Sequence, residues 1–117
     1  MKFYGYKKCS TCRDAMKWLD AHGVAYTFVP IIETPPTPKE LKLALAAGFT
    51  LRNLFNTSGI QYRELKMKDK LPAMSEAEAL KTLTGNGYLV KRPMVFGGDG
   101  KVTVGFKPEK YEAAWGS

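Results

Sequence analysis

A short aromatic strand running into a C-x-x-C turn and a helix, a proline-marked helical stretch in the middle, and a glycine-rich hairpin near the end predict an α/β domain. Its sheet is expected to be mixed and to carry a helical insertion. Lys2-Phe3-Tyr4-Gly5-Tyr6 is aromatic-rich and ends at the charged pair Lys7-Lys8, which suits a buried first strand. Beyond it Cys12, Ala15, Met16 and Leu19 recur at i, i+3, i+4 and i+7, and Gly23 supplies the left-handed residue that commonly stops a helix. Ala25-Tyr26-Thr27-Phe28-Val29 reads as the second strand, closed by Pro30 and followed by a turn around Pro35 and Pro36. Strand, helix and strand in that order normally pair in parallel through a right-handed crossover.

The middle of the chain changes character. Thr37-Pro38-Lys39-Glu40 is a capping box with proline at the first helical position, leading into Leu41, Ala44 and Leu45. Leu51-Arg52-Asn53-Leu54-Phe55 and Tyr62-Arg63-Glu64-Leu65 look like shorter helical turns. Ser75-Glu76-Ala77-Glu78 caps a further helix whose Leu80 and Leu83 face inward, so the helical insertion runs over about residues 37–84. Met94-Val95-Phe96 and Lys101-Val102-Thr103-Val104-Gly105-Phe106 then flank Gly97-Gly98-Asp99-Gly100, a strong hairpin signal that makes these strands antiparallel neighbours. Pro108 opens a final short helix with Tyr111, Ala114 and Trp115 on one face. No repeat, low-complexity tract or linker interrupts the chain, so residues 1–117 are expected to form one domain.

Composition bounds the function classes. The chain has 117 residues, 44% of them apolar and 12% aromatic, enough for a real core; 18 basic against 11 acidic residues leave a net charge of +7. The longest stretch without Lys, Arg, Asp or Glu, Ala21 to Ile32, contains Pro30 and is only twelve residues long, whereas a membrane helix needs about 20 apolar residues. The N-terminus lacks the apolar run and small-residue cleavage site of a secretory signal, so the expectation is a cytoplasmic protein with no membrane contact. The positive balance favours an acidic partner or an anion. Basic residues are nevertheless scattered, as where Lys66, Lys68 and Lys70 alternate with Met67 and Asp69, and aromatics are not interleaved with them, which disfavours direct nucleic-acid binding.

Chemistry concentrates in Cys9-Ser10-Thr11-Cys12. Two cysteines in one tetrapeptide cannot build a disulfide scaffold. Between a strand and a helix, the first thiol falls at the helix N-terminus, where unpaired N–H groups and the positive end of the dipole favour an anion. Cys9 is therefore the expected nucleophile, helped by Lys7, Lys8 and Arg13. Cys12, one turn further in and more buried, is the expected resolving thiol. Two other readings use the same residues. Structural zinc would need about four ligands, while the chain offers two cysteines and a single histidine, His22, best read as a solvated residue at a helix end. Alternatively the cysteines are inert core residues.

Arg92-Pro93 is the second informative pair. A proline leading into a strand beside a redox motif can hold a cis bond in a tight turn facing the thiol, and the planar fork of Arg92 suits an oxyanion or a substrate carboxylate. Lys107, just before Pro108, is the other basic candidate at that end of the sheet; a plain solvated lysine is its bland alternative.

With Cys9-Ser10-Thr11-Cys12-Arg13 after a first strand, a capped helical insertion, and Lys91-Arg92-Pro93-Met94-Val95 before a terminal hairpin, nearly the whole chain resembles the arsenate reductase (ArsC) and Spx family. It resembles the ArsC-like branch in Leu54-Phe55-Asn56-Thr57-Ser58-Gly59 and Tyr62-Arg63. The resemblance implies a thioredoxin-like (glutaredoxin-like) fold with a helical insertion. It also implies Cys9 as catalytic nucleophile, with Arg92 the one arginine kept of three that hold the arsenate oxyanion and stabilise the thiolate. The other two fall at Asn56 and Lys107, with Arg52 or Arg63 as substitutes from nearby; Arg13, Lys107 and Asn56 are thus the candidate substrate-binding residues, and Pro93 is structural. No bound cofactor or metal is expected. The implied partners are an oxyanion or disulfide substrate and an external thiol reductant: glutathione, glutaredoxin or thioredoxin. Because Cys12 is absent from typical glutaredoxin-linked members, while Spx regulators carry a C-x-x-C switch, the alternative is a redox sensor docking on the RNA polymerase alpha subunit through its insertion. The chain ends at Ser117, without the longer tail that Spx-like regulators resemble one another in having, and this favours the enzyme.

Overall fold

The computed structural model describes residues 1–116. Strand β1 (Lys2–Gly5) lies inside a four-stranded sheet of order β2-β1-β3-β4, because Phe3 and Tyr4 give it an apolar residue for each face. It pairs in parallel with β2 (Thr27–Pro30), with Phe3 opposite Phe28, and antiparallel with β3 (Met94–Phe96), with Phe3 opposite Val95. β3 pairs antiparallel with β4 (Val102–Val104). On one face Phe3 and Val95 pack against Cys12, Ala15 and Leu19 of α1 (Ser10–Ala21) and Tyr111 of α7 (Pro108–Trp115). On the other, Tyr4, Met94, Phe96 and Val102 join Leu41, Ala44, Leu54, Leu80 and Leu83 of the insertion. This is the thioredoxin-like arrangement that the family resemblance implies.

The insertion comprises α2 (Pro38–Ala46), α3 (Leu51–Leu54), α4 (Ile60–Glu64), α5 (Met67–Lys70) and α6 (Glu76–Thr84), with 3-10 turns at Leu71–Ala73 and Gly87–Leu89. Both expected capping boxes form, Thr37 with Glu40 and Ser75 with Glu78. A third, Thr50 with Asn53, escapes the sequence pattern because asparagine replaces the usual Glu or Gln. Glu40 has a second task. Its carboxylate accepts from the Tyr4 hydroxyl at 2.6 Å and from Lys2 Nζ at 3.3 Å, tying β1 to the start of α2. α5 was not expected, since four residues of alternating lysine show no helical period; buried Met67 anchors it.

Strand ends differ from expectation for local reasons. β4, expected over 101–106, stops at Val104 because Gly105 turns left-handed at φ 79°, although its N–H still bonds the Pro93 carbonyl at 2.8 Å. β2 was expected to close before Pro30, which instead ends the strand; as an edge position it needs no ladder N–H. The Arg92–Pro93 bond is cis, a choice of isomer that the dipeptide alone leaves open.

Gly87 lets the chain recross the first half of the fold. A Cβ there would press on the Ile31 carbonyl oxygen and lie 2.7 Å from the Ile32 Cα, both backbone atoms that cannot swing aside. Gly87→Ala should lower the unfolding free energy by about 1–3 kcal/mol, and Thr37→Ala by about 1 kcal/mol through loss of its cap. Urea denaturation of the two variants beside the parent checks both.

Candidate active site

Cys9 is the N-cap residue of α1, with extended backbone at φ −89° and ψ 121°, and is half-buried. Cys12, the third residue of the helix, is fully buried between Phe3 and Val95 in the face of the sheet that α1 covers. Both thiols are free. The C-x-x-C spacing turns the second side chain inward because the helix has begun at Ser10, which puts Cys12 in register with Ala15 and Leu19.

Tyr6 governs the turn. Its carbonyl accepts from the Cys9 N–H at 2.9 Å, and its own N–H donates to the Cys12 sulfur at 3.4 Å. Arg92 places its guanidinium 5.3 Å from the centroid of the Tyr6 ring, within cation–π range. The Arg92 Nη1 atom is buried and has no hydrogen-bond partner among the described residues, a donor held ready beside the thiols.

The two thiols are driven apart in acidity. Burial works to raise the Cys9 thiol, but the backbone N–H and thiol of Cys12, the N–H of Thr11 and the charge of Arg92 together pull it below its ordinary value. These amides act as nearby dipoles, since the Cys9 sulfur makes no side-chain cap hydrogen bond. Burial dominates at Cys12 and, with the adjacent Cys9, pushes its thiol up to about 12, against the opposing effects of the Tyr6 N–H and Arg92. Cys9 is the anion-forming sulfur of the pair.

The expected residues are only partly brought together. Cys9, Cys12 and Arg92 meet, with Pro93 buried beside them in the chain. Arg13 is exposed and donates to the Lys7 carbonyl at 3.1 Å, while Lys7 sits over the Phe28 ring at 5.5 Å. The groups that pull the Cys9 thiol down are the Cys12 and Thr11 N–H groups, the Cys12 thiol and Arg92. Asn56 is half-buried, its N–H bonded to the Leu89 carbonyl at 2.7 Å and its amide packed near Gly59. Lys107 caps α7 from an exposed position and lines a cleft of about 800 Å³ that reaches Thr11. Arg52 and Arg63 are exposed, Arg52 lining a small pocket with Lys91. His22 is an exposed helix C-cap, its ring 3.7 Å from that of Trp18. No group of three metal-ligating side chains occurs among the described residues, and no described helix is long and apolar enough to cross a membrane. Tyr6 and the Thr11 N–H were missed: backbone donors leave no mark in side-chain identity, and an aromatic residue at a strand end is most simply read as core.

The family model described as ArsC family matches residues 4–114. The uncharacterized protein YusI of Bacillus subtilis is 49% identical over 116 residues, covering 98% of each chain. An arsenate reductase of Neisseria meningitidis is 30% identical over 97% of this chain and 96% of its own. The regulatory protein MgsR of Bacillus subtilis is 26% identical over 92% of this chain and 84% of its own. Among solved structures, an ArsC family related protein from Bacteroides fragilis superposes with a TM-score of 0.90 at 45% identity, covering 97% of this chain and 95% of that one.

The split acidity fixes a pH signature. Alkylation by iodoacetamide should modify Cys9 alone near neutral pH and reach Cys12 only as the pH approaches about 12, with peptide mapping as the readout. Arg92→Ala should shift the Cys9 profile upward and slow its alkylation several-fold at neutral pH, with Arg92→Lys intermediate. The stability signs are opposite. Lowered Cys9 adds stability as the pH rises from its folded value to the unfolded one, whereas raised Cys12 loses its contribution as the pH climbs from the unfolded value toward about 12.

Proposed function

Because the chain belongs to the ArsC family, we propose that it is a thiol–disulfide oxidoreductase of the arsenate reductase type, with Cys9 as nucleophile and Cys12 as resolving thiol. The observation that carries this reading is the paired arrangement itself: an acidified Cys9 at a helix N-terminus, a buried protonated Cys12 beside it, and an unpaired Arg92 donor. With a disulfide substrate, the Cys9 thiolate attacks one sulfur, the other leaves as a thiolate and takes up a proton, and a mixed disulfide remains. Cys12 then gives up its proton and attacks the Cys9 sulfur, expelling the second substrate thiolate and leaving a Cys9–Cys12 disulfide. Two electrons pass from the dithiol to the substrate. With arsenate, the thiolate displaces one oxygen as water from arsenic(V), and attack by Cys12 on Cys9 leaves the sulfur–arsenic electron pair on arsenic, releasing arsenic(III).

Arg92 anchors the oxyanion in that second case. Asn56 supplies no charge and Lys107 a point charge without a fork, so arsenate is held less firmly than by three guanidinium groups. An external thiol, glutathione or a glutaredoxin or thioredoxin, reopens the disulfide, as a reducing cytoplasm would allow. A regulatory second reading draws on the similarity to MgsR. In it the same disulfide alters docking on the RNA polymerase alpha subunit.

Reduced protein supplied with hydroxyethyl disulfide or arsenate, and coupled through glutathione and glutaredoxin to NADPH consumption, tests the enzyme. Cys9→Ser should fall to background. Cys12→Ser should accumulate a mixed disulfide with the small thiol, visible by mass spectrometry, where the parent gives only the internal disulfide. Undiminished turnover in Cys9→Ser defeats the enzyme. Redox-dependent capture of the alpha subunit without turnover establishes the regulator.

A further inference from the structure

The edge of the sheet on this side is β4, and Val102, Thr103 and Val104 line the cleft that reaches Thr11. Register decides which groups face outward. Gly97 N–H bonds the Lys101 carbonyl and Gly105 N–H bonds the Pro93 carbonyl, so Thr103, two residues from each, exchanges its bonds with Val95 of β3. The N–H and carbonyl groups of Val102 and Val104 therefore point away from β3, and none of them has a hydrogen-bond partner among the described residues. Phe49 and Ala47, just past α2, form one wall of the cleft, and α7 forms the other. The result is a trough of about 800 Å³ with a strand edge along it and apolar side chains beside it.

Charge limits what can lie there. Lys91, Lys101, Lys107 and Lys110 line the trough and no acidic residue does. Lys101 is paired with Asp99 at 3.6 Å, but Lys91, Lys107 and Lys110 make no salt bridge among the described residues. Lysines beside an exposed strand ordinarily keep uncharged strands from pairing with it. Here the same charges would admit an acidic one.

We propose that the β4 edge is a docking site for an extended acidic segment of a protein partner, which adds to the sheet as a fifth strand. Its backbone pairs with Val102 and Val104, its acidic side chains meet Lys91, Lys107 and Lys110, and its apolar ones lie against Phe49 and the cleft walls. Thr11 in the lining brings the bound segment up to the cysteine turn. The docking needs neither thiol, so it stands apart from the redox reading.

The test uses full-length Cys9→Ser protein and a capped octapeptide alternating valine and glutamate. Binding is followed by fluorescence anisotropy and by amide hydrogen exchange. The peptide should slow exchange at Val102 and Val104 by at least about tenfold. A version methylated on alternate backbone nitrogens, or one with lysine for glutamate, should not. Lys107→Glu with Lys110→Glu should weaken binding by roughly tenfold or more, while Val104→Pro, which deletes one outward N–H, should weaken it without altering the charge. Absence of binding overturns the proposal, as does binding that leaves Val102 and Val104 exchange unchanged, because that is attraction to lysine without strand pairing.

Discussion

The backbone of Tyr6 is bonded to both cysteines at once, and the site depends on that. One peptide group after another, its N–H holds the Cys12 sulfur and its carbonyl holds the Cys9 N–H. Because Tyr6 directly follows β1, the position of both sulfurs is set by the sheet and not by a loose loop. Its ring carries the charge as well, since Arg92 arrives from just before β3 and rests on it. Three segments thereby converge: the end of β1, the start of α1 just after it, and, far away in sequence, the cis turn before β3. The β1–β3 pairing, with Tyr4 opposite Met94, is what brings the third to the first two.

Cys12 belongs to the core and to the chemistry together. With Ala15 and Leu19 it forms the seam by which α1 packs on Phe3 and Val95, so its burial is required by the fold before any reaction is considered. Burial keeps the thiol protonated, and the Tyr6 N–H satisfies its sulfur. The bland view of an inert core cysteine and the functional view of a resolving thiol therefore describe the same packing. What separates them is the neighbour: an exposed polar residue at position 9 would leave Cys12 a packing residue alone.

Much of this was legible in the sequence where a rule has a short range. The α1 stripe, the Thr37 and Ser75 caps, the glycine hairpin and the proline start of α7 all follow from residues within a turn of one another. The placement of Cys9 at a helix N-terminus was legible for the same reason. What acidifies it was only half legible. Arg92 could be picked out as a planar cation before proline, but the part taken by Thr11 and Cys12 amides is carried by backbone geometry common to every residue, and Lys7 and Arg13 were the more visible candidates nearby. The outward groups of Val102 and Val104 escape sequence altogether, because which residues of a hairpin face its partner depends on the register that Gly97 and Gly105 set.

The unequal thiols also give the proposed reaction its order. Cys12 is held protonated by burial first and by the charge on Cys9 second, while the Tyr6 N–H and Arg92 pull the other way. When Cys9 joins a substrate atom its charge is gone, and with it the repulsion that helped keep the proton on Cys12. The two influences that favour a Cys12 thiolate, the Tyr6 N–H and Arg92, are separate from the Cys9 charge. Cys12 therefore becomes more acidic at the step that needs it as a nucleophile, and is least reactive while Cys9 is still free. In the proposed reaction, loss of the repulsion between the two sulfurs, added to a burial that does not change, gives this order without any moving part.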